Sequence, residues 1–508
     1  MQLTAWMYDI AREQSPRTDL LDDMLARSAN AGYNAVGLYL EHRFQYASAP
    51  WAAAPGSLAP SVIQSLGAKY TSRSLRVIPF LNTLGHMEGF IHSEGGQWLA
   101  EDAGIGLLSL QSCPSRPECV DFARGLIRDV LAAFEDEWVH LGGDEAQQLG
   151  KCPRCAERAA GGGASRIYGE YYGLLCREVL ARGRRPCLWA DMLLEHTDAL
   201  KFIPRETVLF DWQYFNRPAE STARLRDAGF DVVCCPSIQT YNSAWCFLDA
   251  SQRNIDEHAE DAHRLGALGV MVTTWEFAFY TQYRTTLPLI YAAGRRLARG
   301  DDWTAAIIAE GGADFAAAAQ ILGVAIPSAS AFLRVGSWRQ LRDRLVMRRN
   351  PFYLWQDWRE EACGPVGDRV LALADEAASL LPGAHPLQFA IELHRVAVEW
   401  VRGVQTAHEH YVRHEYAACE RLLVSAAKAL NWLRPGLLAA RDEGGSAADP
   451  FRLDHALRVV RRTIERVRAV ATREGGAGAS RWRPAFETLC HDGFMENDWA
   501  AWRSHYYK

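Results

Sequence analysis

The chain has 508 residues, 49% of them hydrophobic and 23% charged, with a formal net charge of -6. This is a globular composition, and the length provides for two domains. The small net charge and the lack of a long basic run exclude nucleic acid and anionic membrane surfaces as expected partners, and no run of about 18 apolar residues marks a membrane span. The N-terminus, MQLTAWMYDI, lacks the basic and apolar segments of a secretion signal and reads as a first strand. Twelve cysteines without such a signal point to reduced thiols in the cytoplasm.

Short apolar runs predict strands at 3–9, 35–41, 75–81, 138–144, 185–191, 207–213, 231–237 and 269–275. Helical spacing fills the gaps at 18–31, 58–73, 116–134, 165–182, 218–228 and 255–266, with a further helix at 286–298. The gap at 192–206 has room for a short helix only. Eight strands apolar on both faces and separated by helices indicate a closed parallel (β/α)8 TIM barrel over residues 1–300. After 300 the alternation stops, and apolar spacings of three and four over 303–345 and 366–470 predict an all-helical C-terminal domain, 301–508. That domain, with its aromatic segment FYLWQDW (352–358), is expected to wall the pocket, to form a homodimer interface or to pack on the barrel.

Several strands end on acids and indoles: Asp9, Glu41, Asp144 with Glu145, Trp189 with Asp191, Trp212, and Trp275 with Glu276. The C-terminal strand ends of such a barrel face its active site. The stretch WVHLGGDEAQQLG (138–150) runs a buried strand into two glycines and two adjacent acids. Taken alone, an acid pair there is an ordinary helix cap. The string H-x-G-G-D-E, however, resembles the signature of glycoside hydrolase family 20, the β-N-acetylhexosaminidases. Further segments resemble that family in order: MYDIAR (7–12), IPFLNTLGH (78–86), LWADML (188–193), LFDWQY (209–214), SIQTYNSAW (237–245) and TTWEF (273–277). LYLEHRFQY (38–46) and the helical tail resemble the short bacterial members, which begin at the barrel.

The resemblance implies a retaining exo-glycosidase whose substrate supplies the nucleophile, its 2-acetamido oxygen, through an oxazolinium intermediate. Glu145 is then the general acid and base, with a pKa raised by burial and by Asp144. Asp144 polarises the acetamido group, and Tyr241 donates a hydrogen bond to its carbonyl. Arg12 holds sugar hydroxyls, and Glu41 and His86 form a hydrogen-bonded chain towards the acid. Trp189, Trp212 and Trp275 wall the pocket, with Asp191 and Glu276 at the same strand ends. His140 is expected inside the barrel, in a structural role. Two positions depart from the family pattern. Ser243 stands where an acid usually follows the tyrosine, and Glu276 follows Trp275 directly. The family's acids at these positions read O4 and O6, so the choice between GlcNAc and GalNAc stays open. The expected partner is a small oligosaccharide or glycoconjugate ending in a β-linked N-acetylhexosamine.

This chemistry requires no cofactor. CPRC (152–155) is half of a zinc-site pattern, and Cys113 and Cys119 could join Cys152 and Cys155 in a structural four-thiolate site. Free thiols or a helix-capping turn are the alternatives. Two other functional classes remain: a catalytically silent sugar-binding barrel, which would have no need of a proton donor, and a metal-dependent hydrolase, for which the strand ends lack a multi-histidine set.

Overall fold

Strands β1 (Leu3–Asp9), β2 (Ala35–Tyr39), β3 (Arg76–Phe80), β4 (Trp138–His140), β5 (Arg185–Trp189), β6 (Val208–Trp212), β7 (Asp231–Cys235) and β8 (Gly269–Thr274) pair in parallel and in sequence order. The barrel closes where β8 pairs with β1, from Leu3 opposite Gly269 to Tyr8 opposite Thr274. The computed structural model describes residues 2–11, 17–240, 243–275, 283–334, 341, 345, 350–442, 449–475 and 483–491.

Alternation along each strand sorts the side chains. Ala5 and Met7, Ile78 and Phe80, Cys187 and Trp189, and Val208 and Phe210 point into the barrel and form its inner core. Their neighbours Trp6, Tyr8, Leu188, Leu209 and Val270 point outward into the layer shared with the helices. Burial on both faces is why these strands are apolar without interruption.

The helices around the barrel are α1 (Thr18–Ala31), α2 (Pro60–Thr71), α3 (Glu88–Ile91), α4 (Pro117–Ala133), α5 (Pro153–Ala160), α6 (Gly163–Ala181), α7 (Asp191–Glu195), α8 (Ala219–Asp227), α9 (Leu248–Arg264) and α10 (Leu287–Arg299). Proline opens α2, α4 and α5, where its missing N–H is not needed by the helix. Helix α9 starts seven residues before its predicted start at 255, because its first turns are polar.

The C-terminal domain is helical, as expected. It begins with α11 (Trp303–Gly311), whose first turn is capped by the Asp302 carboxylate accepting the N–H groups of Thr304 and Ala305. Helices α12 (Ala313–Gln320) and α13 (Ile326–Ala329) are joined by a π-helical turn, Ile321–Ala325. Phe315 of α12 meets Trp245 of the barrel edge-on at 6.3 Å, and the Trp303 indole donates to Asp256 of α9 at 3.0 Å. Then follow α14 (Phe352–Ala362), α15 (Pro365–Leu380), α16 (Gln388–Val412), α17 (Tyr416–Asn431), α18 (Arg434–Asp442), α19 (Asp449–Glu474) and α20 (Phe486–Leu489). The segment FYLWQDW is helix α14. Its Trp355 donates to Gln405 of α16 at 3.0 Å and its Trp358 to Ser330 at 3.2 Å. Among the described residues it packs into the core of the helical domain, with Phe352, Leu354, Trp355 and Trp358 buried.

Candidate active site

Strand β4 stops at His140, four residues short of its predicted end, because Gly142 and Gly143 take positive φ values of 78° and 106°. The turn they make carries Asp144 and Glu145. Left-handed backbone at a non-glycine residue costs on the order of 1–3 kcal/mol and gathers at functional sites. Among the described residues, Glu41 (φ 40°), His86 (φ 50°) and Glu145 (φ 46°) all adopt it, each beyond the end of its strand.

Gly85 explains how the turns after β3 and β4 meet. A Cβ there would lie 2.3 Å from the Asp144 carbonyl oxygen. Only glycine lets the two backbones approach so closely. The contact puts His86 against both acids. Its Nε2 is 3.1 Å from Glu145 Oε2 and 3.5 Å from Asp144 Oδ2. Its Nδ1 is 3.3 Å from Glu88 Oε1. Burial opposes a charge on this ring, but Asp144, Glu88 and the hydrogen bonds to Glu145 and Glu88 outweigh it and hold the His86 pKa well above its ordinary value. That direction favours the imidazolium form, which has a proton on each nitrogen to offer the carboxylates around it.

The two acids sit at different depths. Asp144 is 5% exposed, whereas the Glu145 side chain is 53% exposed. Burial therefore falls on Asp144, and the expected burial of Glu145 is absent because the left-handed turn swings that side chain outward. Asp191 adjoins the pair. Its Oδ2 accepts the Glu145 N–H at 2.9 Å, and its Oδ1 accepts the Trp212 indole N–H at 3.3 Å. Burial, then the charge of Asp144, raise the Asp191 pKa to about 7.

Glu41 accepts the Gly89 N–H at 2.5 Å and lies 3.7 Å from His42 Nδ1. It braces the short helix α3, and the carboxylate on His86 Nδ1 is Glu88. Sequence reading passed over Glu88, although the string GHME places it two residues after the histidine.

Trp189 is fully buried and lies 5.8 Å from Trp275 and 4.5 Å from His140, ring to ring, so it is floor rather than wall. Trp212 and Trp275 are partly exposed. Tyr214, also passed over, joins them. Its hydroxyl accepts the Trp275 indole N–H at 2.5 Å, and its ring stacks on Trp212 at 5.1 Å. The signal was LFDWQY, where Trp212 and Tyr214 alternate along the strand direction. His140 is buried, stacked on Phe80 at 4.3 Å, and its Nδ1 accepts the Gly142 N–H at 3.1 Å, in the structural place expected. Arg12, Tyr241 and Glu276 lie outside the described residues. Ser243 is buried and donates to the Thr240 carbonyl at 3.0 Å.

Near this rim Cys113, Cys152 and Cys155 converge, but Cys119 does not join them. Its Sγ faces the Leu99 carbonyl at 3.8 Å, and Glu101 takes the fourth corner.

Carboxylates and indoles thus gather at the C-terminal end of the (β/α)8 barrel, where barrels of this kind carry their active sites. The sequence model described as "Glycosyl hydrolase family 20, catalytic domain" matches residues 45–285, a span that runs from β3 to β8, and supports assigning the barrel to that family. The chain is similar to a beta-hexosaminidase of Akkermansia muciniphila, 25% identical over 202 residues that make up 37% of this chain and 38% of the relative. It is also similar to an Arthroderma benhamiae protein named "Probable beta-hexosaminidase", 25% identical over 186 residues, 32% of this chain and 29% of the relative. The chain thus spans 29–38% of the length of these curated relatives. Among solved structures it is similar to the exo β-N-acetylglucosaminidase of Vibrio harveyi, at 16% identity and a TM-score of 0.49, covering 63% of this chain and 58% of that one. Among the described residues, no helix is long and apolar enough to cross a membrane.

Proposed function

We propose that the protein is a retaining exo-β-N-acetylhexosaminidase that removes terminal β-linked GlcNAc or GalNAc by substrate-assisted catalysis. The observation that carries this reading is that Asp144 and Glu145, neighbours on one turn, share a single nitrogen of His86 at 3.5 and 3.1 Å. Both acids thus stand on one turn against one imidazole, and on this reading they meet a sugar from the same side. A double-displacement glycosidase instead needs its acid and its nucleophile on opposite sides of the scissile bond, about 5 Å apart. Here the substrate's acetamido oxygen attacks the anomeric carbon, and the oxazolinium ion forms as the glycosidic bond breaks.

Glu145, the exposed member, gives its proton to the leaving oxygen and later takes one from the attacking water. A sugar seated over it removes its surrounding water and works against its charge, whereas a charged His86 at 3.1 Å works for it. Asp144, buried beside it, accepts the acetamido N–H and stabilises the positive charge that grows as the ring closes. His86, kept charged by Glu88, steadies the Glu145 carboxylate between its two proton transfers. Trp212 and Trp275 offer apolar faces to the pyranose. By resemblance, Tyr241 donates to the acetamido carbonyl and Arg12 contacts the sugar hydroxyls, while Glu276 departs from the family pattern. We place the enzyme in the cytoplasm, a reading in keeping with twelve free cysteines.

The test is a panel of aryl β-glycosides (GlcNAc, GalNAc, glucose and galactose) run with wild type and Glu145→Gln. Turnover is expected for the N-acetylated pair only, with Glu145→Gln losing activity most on poor leaving groups. Equal cleavage of the plain glucoside would sink the mechanism, and binding without any turnover would favour a silent lectin-like barrel.

A further inference from the structure

We infer that Glu101, Cys113, Cys152 and Cys155 form a structural zinc site that clamps the loop carrying the acid pair. This inference stands apart from the proposed activity. The four ligand atoms lie within 4.8 Å of one another, in a largely buried cluster. Cys113 Sγ is 3.5 Å from Cys152 Sγ and 3.7 Å from Cys155 Sγ, and Cys155 Sγ is 3.4 Å from Glu101 Oε2. Zinc–sulfur bonds of about 2.3 Å and a zinc–oxygen bond of about 2.1 Å define a tetrahedron with edges of about 3.6–3.8 Å. These three of the six separations fall close to those edges. They are far beyond a disulfide bond of about 2.05 Å.

The surroundings are prepared for such an ion. Cys152 caps α5, its Sγ accepting the Cys155 N–H at 3.4 Å, so the C-P-R-C turn points both sulfurs one way. The second Glu101 oxygen accepts the N–H groups of Lys151 and Cys152 at 3.0 and 2.9 Å, which fixes the carboxylate against the same turn. The Ser115 hydroxyl lies 2.9 Å from Cys155 Sγ. Arg116 holds the carbonyls of Leu99 and Ala100, just before Glu101, at 2.9 and 2.6 Å. Glu101 is 3% exposed, and its other oxygen faces the Cys155 sulfur inside the cluster. Soft thiolates select zinc over magnesium or calcium, and a closed set of four protein ligands marks a structural ion, not a catalytic one.

The ligands come from three places: the segment before residue 102, the entry to α4, and the turn into α5. The chain between Glu145 and Cys152 also ties back to this region through Gln148, whose N–H donates to the Gln111 side chain at 2.9 Å. A metal here fixes the outer end of the loop that begins at the catalytic turn.

The test is metal analysis of the full-length protein, expressed with zinc and purified without chelator. About one zinc per chain is expected by mass spectrometry. Cobalt(II) replacement should give the intense sulfur-to-cobalt charge-transfer absorption of a thiolate-rich tetrahedral site. Cys152→Ala should abolish stoichiometric zinc, Glu101→Gln should weaken its retention at least tenfold, and Cys119→Ala should keep it. A wild-type chain that takes up neither zinc nor cobalt overturns the inference. So does a Cys152→Ala chain as zinc-loaded as wild type. Because the cobalt spectrum is read on wild type, a variant that fails to fold leaves the test intact.

Discussion

Gly85→Ala tests the joint on which the site depends. The added Cβ would sit 2.3 Å from the Asp144 carbonyl oxygen, and ordinary contact begins at 3.4 Å, so one of the two turns must move by about 1 Å. The oxygen belongs to backbone and cannot swing away like a side-chain tip. The displaced backbone carries either His86 or the acid pair, so the shift falls on the reacting groups. A misplacement of about 1 Å costs on the order of 100-fold in rate. Overpacking should lower stability by about 1–3 kcal/mol, so the fold survives the change. The matched control is Gly67→Ala in α2, where an added Cβ meets nothing within 4 Å. There alanine should stabilise the helix by up to about 1 kcal/mol and leave activity alone. The assay is kcat/KM on an aryl β-N-acetylglucosaminide, with thermal unfolding run in parallel. If Gly85→Ala stays within threefold of wild type, the backbone contact does not position the acids.

Three further outcomes follow from individual contacts. Glu88→Gln removes a carboxylate 3.3 Å from His86 Nδ1, a pairing worth at most about 5 kcal/mol at an effective dielectric of about 20. The His86 pKa should fall, read by NMR titration of the imidazole; an unmoved titration would remove Glu88 from the relay. Asp191 has its pKa raised from 3.8 to about 7, so the folded chain holds its proton more tightly than the unfolded chain does. Its contribution to stability is complete below about pH 4 and is lost as pH rises towards 7, so the melting temperature of Asp191→Asn should fall less over that window than that of wild type. Equal slopes would contradict this. Tyr214→Phe removes the hydroxyl that accepts the Trp275 indole N–H at 2.5 Å, at a cost of about 0.5–1.5 kcal/mol. KM should rise several-fold with kcat little changed; a fall in kcat alone would place Tyr214 in the chemistry instead.

The barrel was legible because burial on both faces leaves long apolar runs, and all eight predicted strands overlap observed ones in closed order. Strand ends were less legible. The run through 138–144 is apolar to its last residues, but the positive φ of Gly142 and Gly143 ends the ladder at His140. The acid pair and His86 could be named from motif strings, and the structure brings those three together. Their relative depth could not be read, because it depends on the left-handed turn at Glu145. Glu88 and Tyr214 were missed because each looks unremarkable alone. Their roles come from contacts with His86 and Trp275, and spacing along the chain does not report those contacts. The zinc pattern failed in one corner for a similar reason. Counting cysteines suggested Cys119, whereas folding brings Glu101 to that place.

The central claim is that the substrate's own amide oxygen is the nucleophile. It is tested most directly by a series of aryl β-glucosaminides whose N-acetyl group carries zero to three fluorines. Fluorine weakens that oxygen as a nucleophile and leaves the aglycone unchanged. The account predicts a steep, steady fall in kcat/KM with each fluorine, and it is contradicted if the rates stay level across the series.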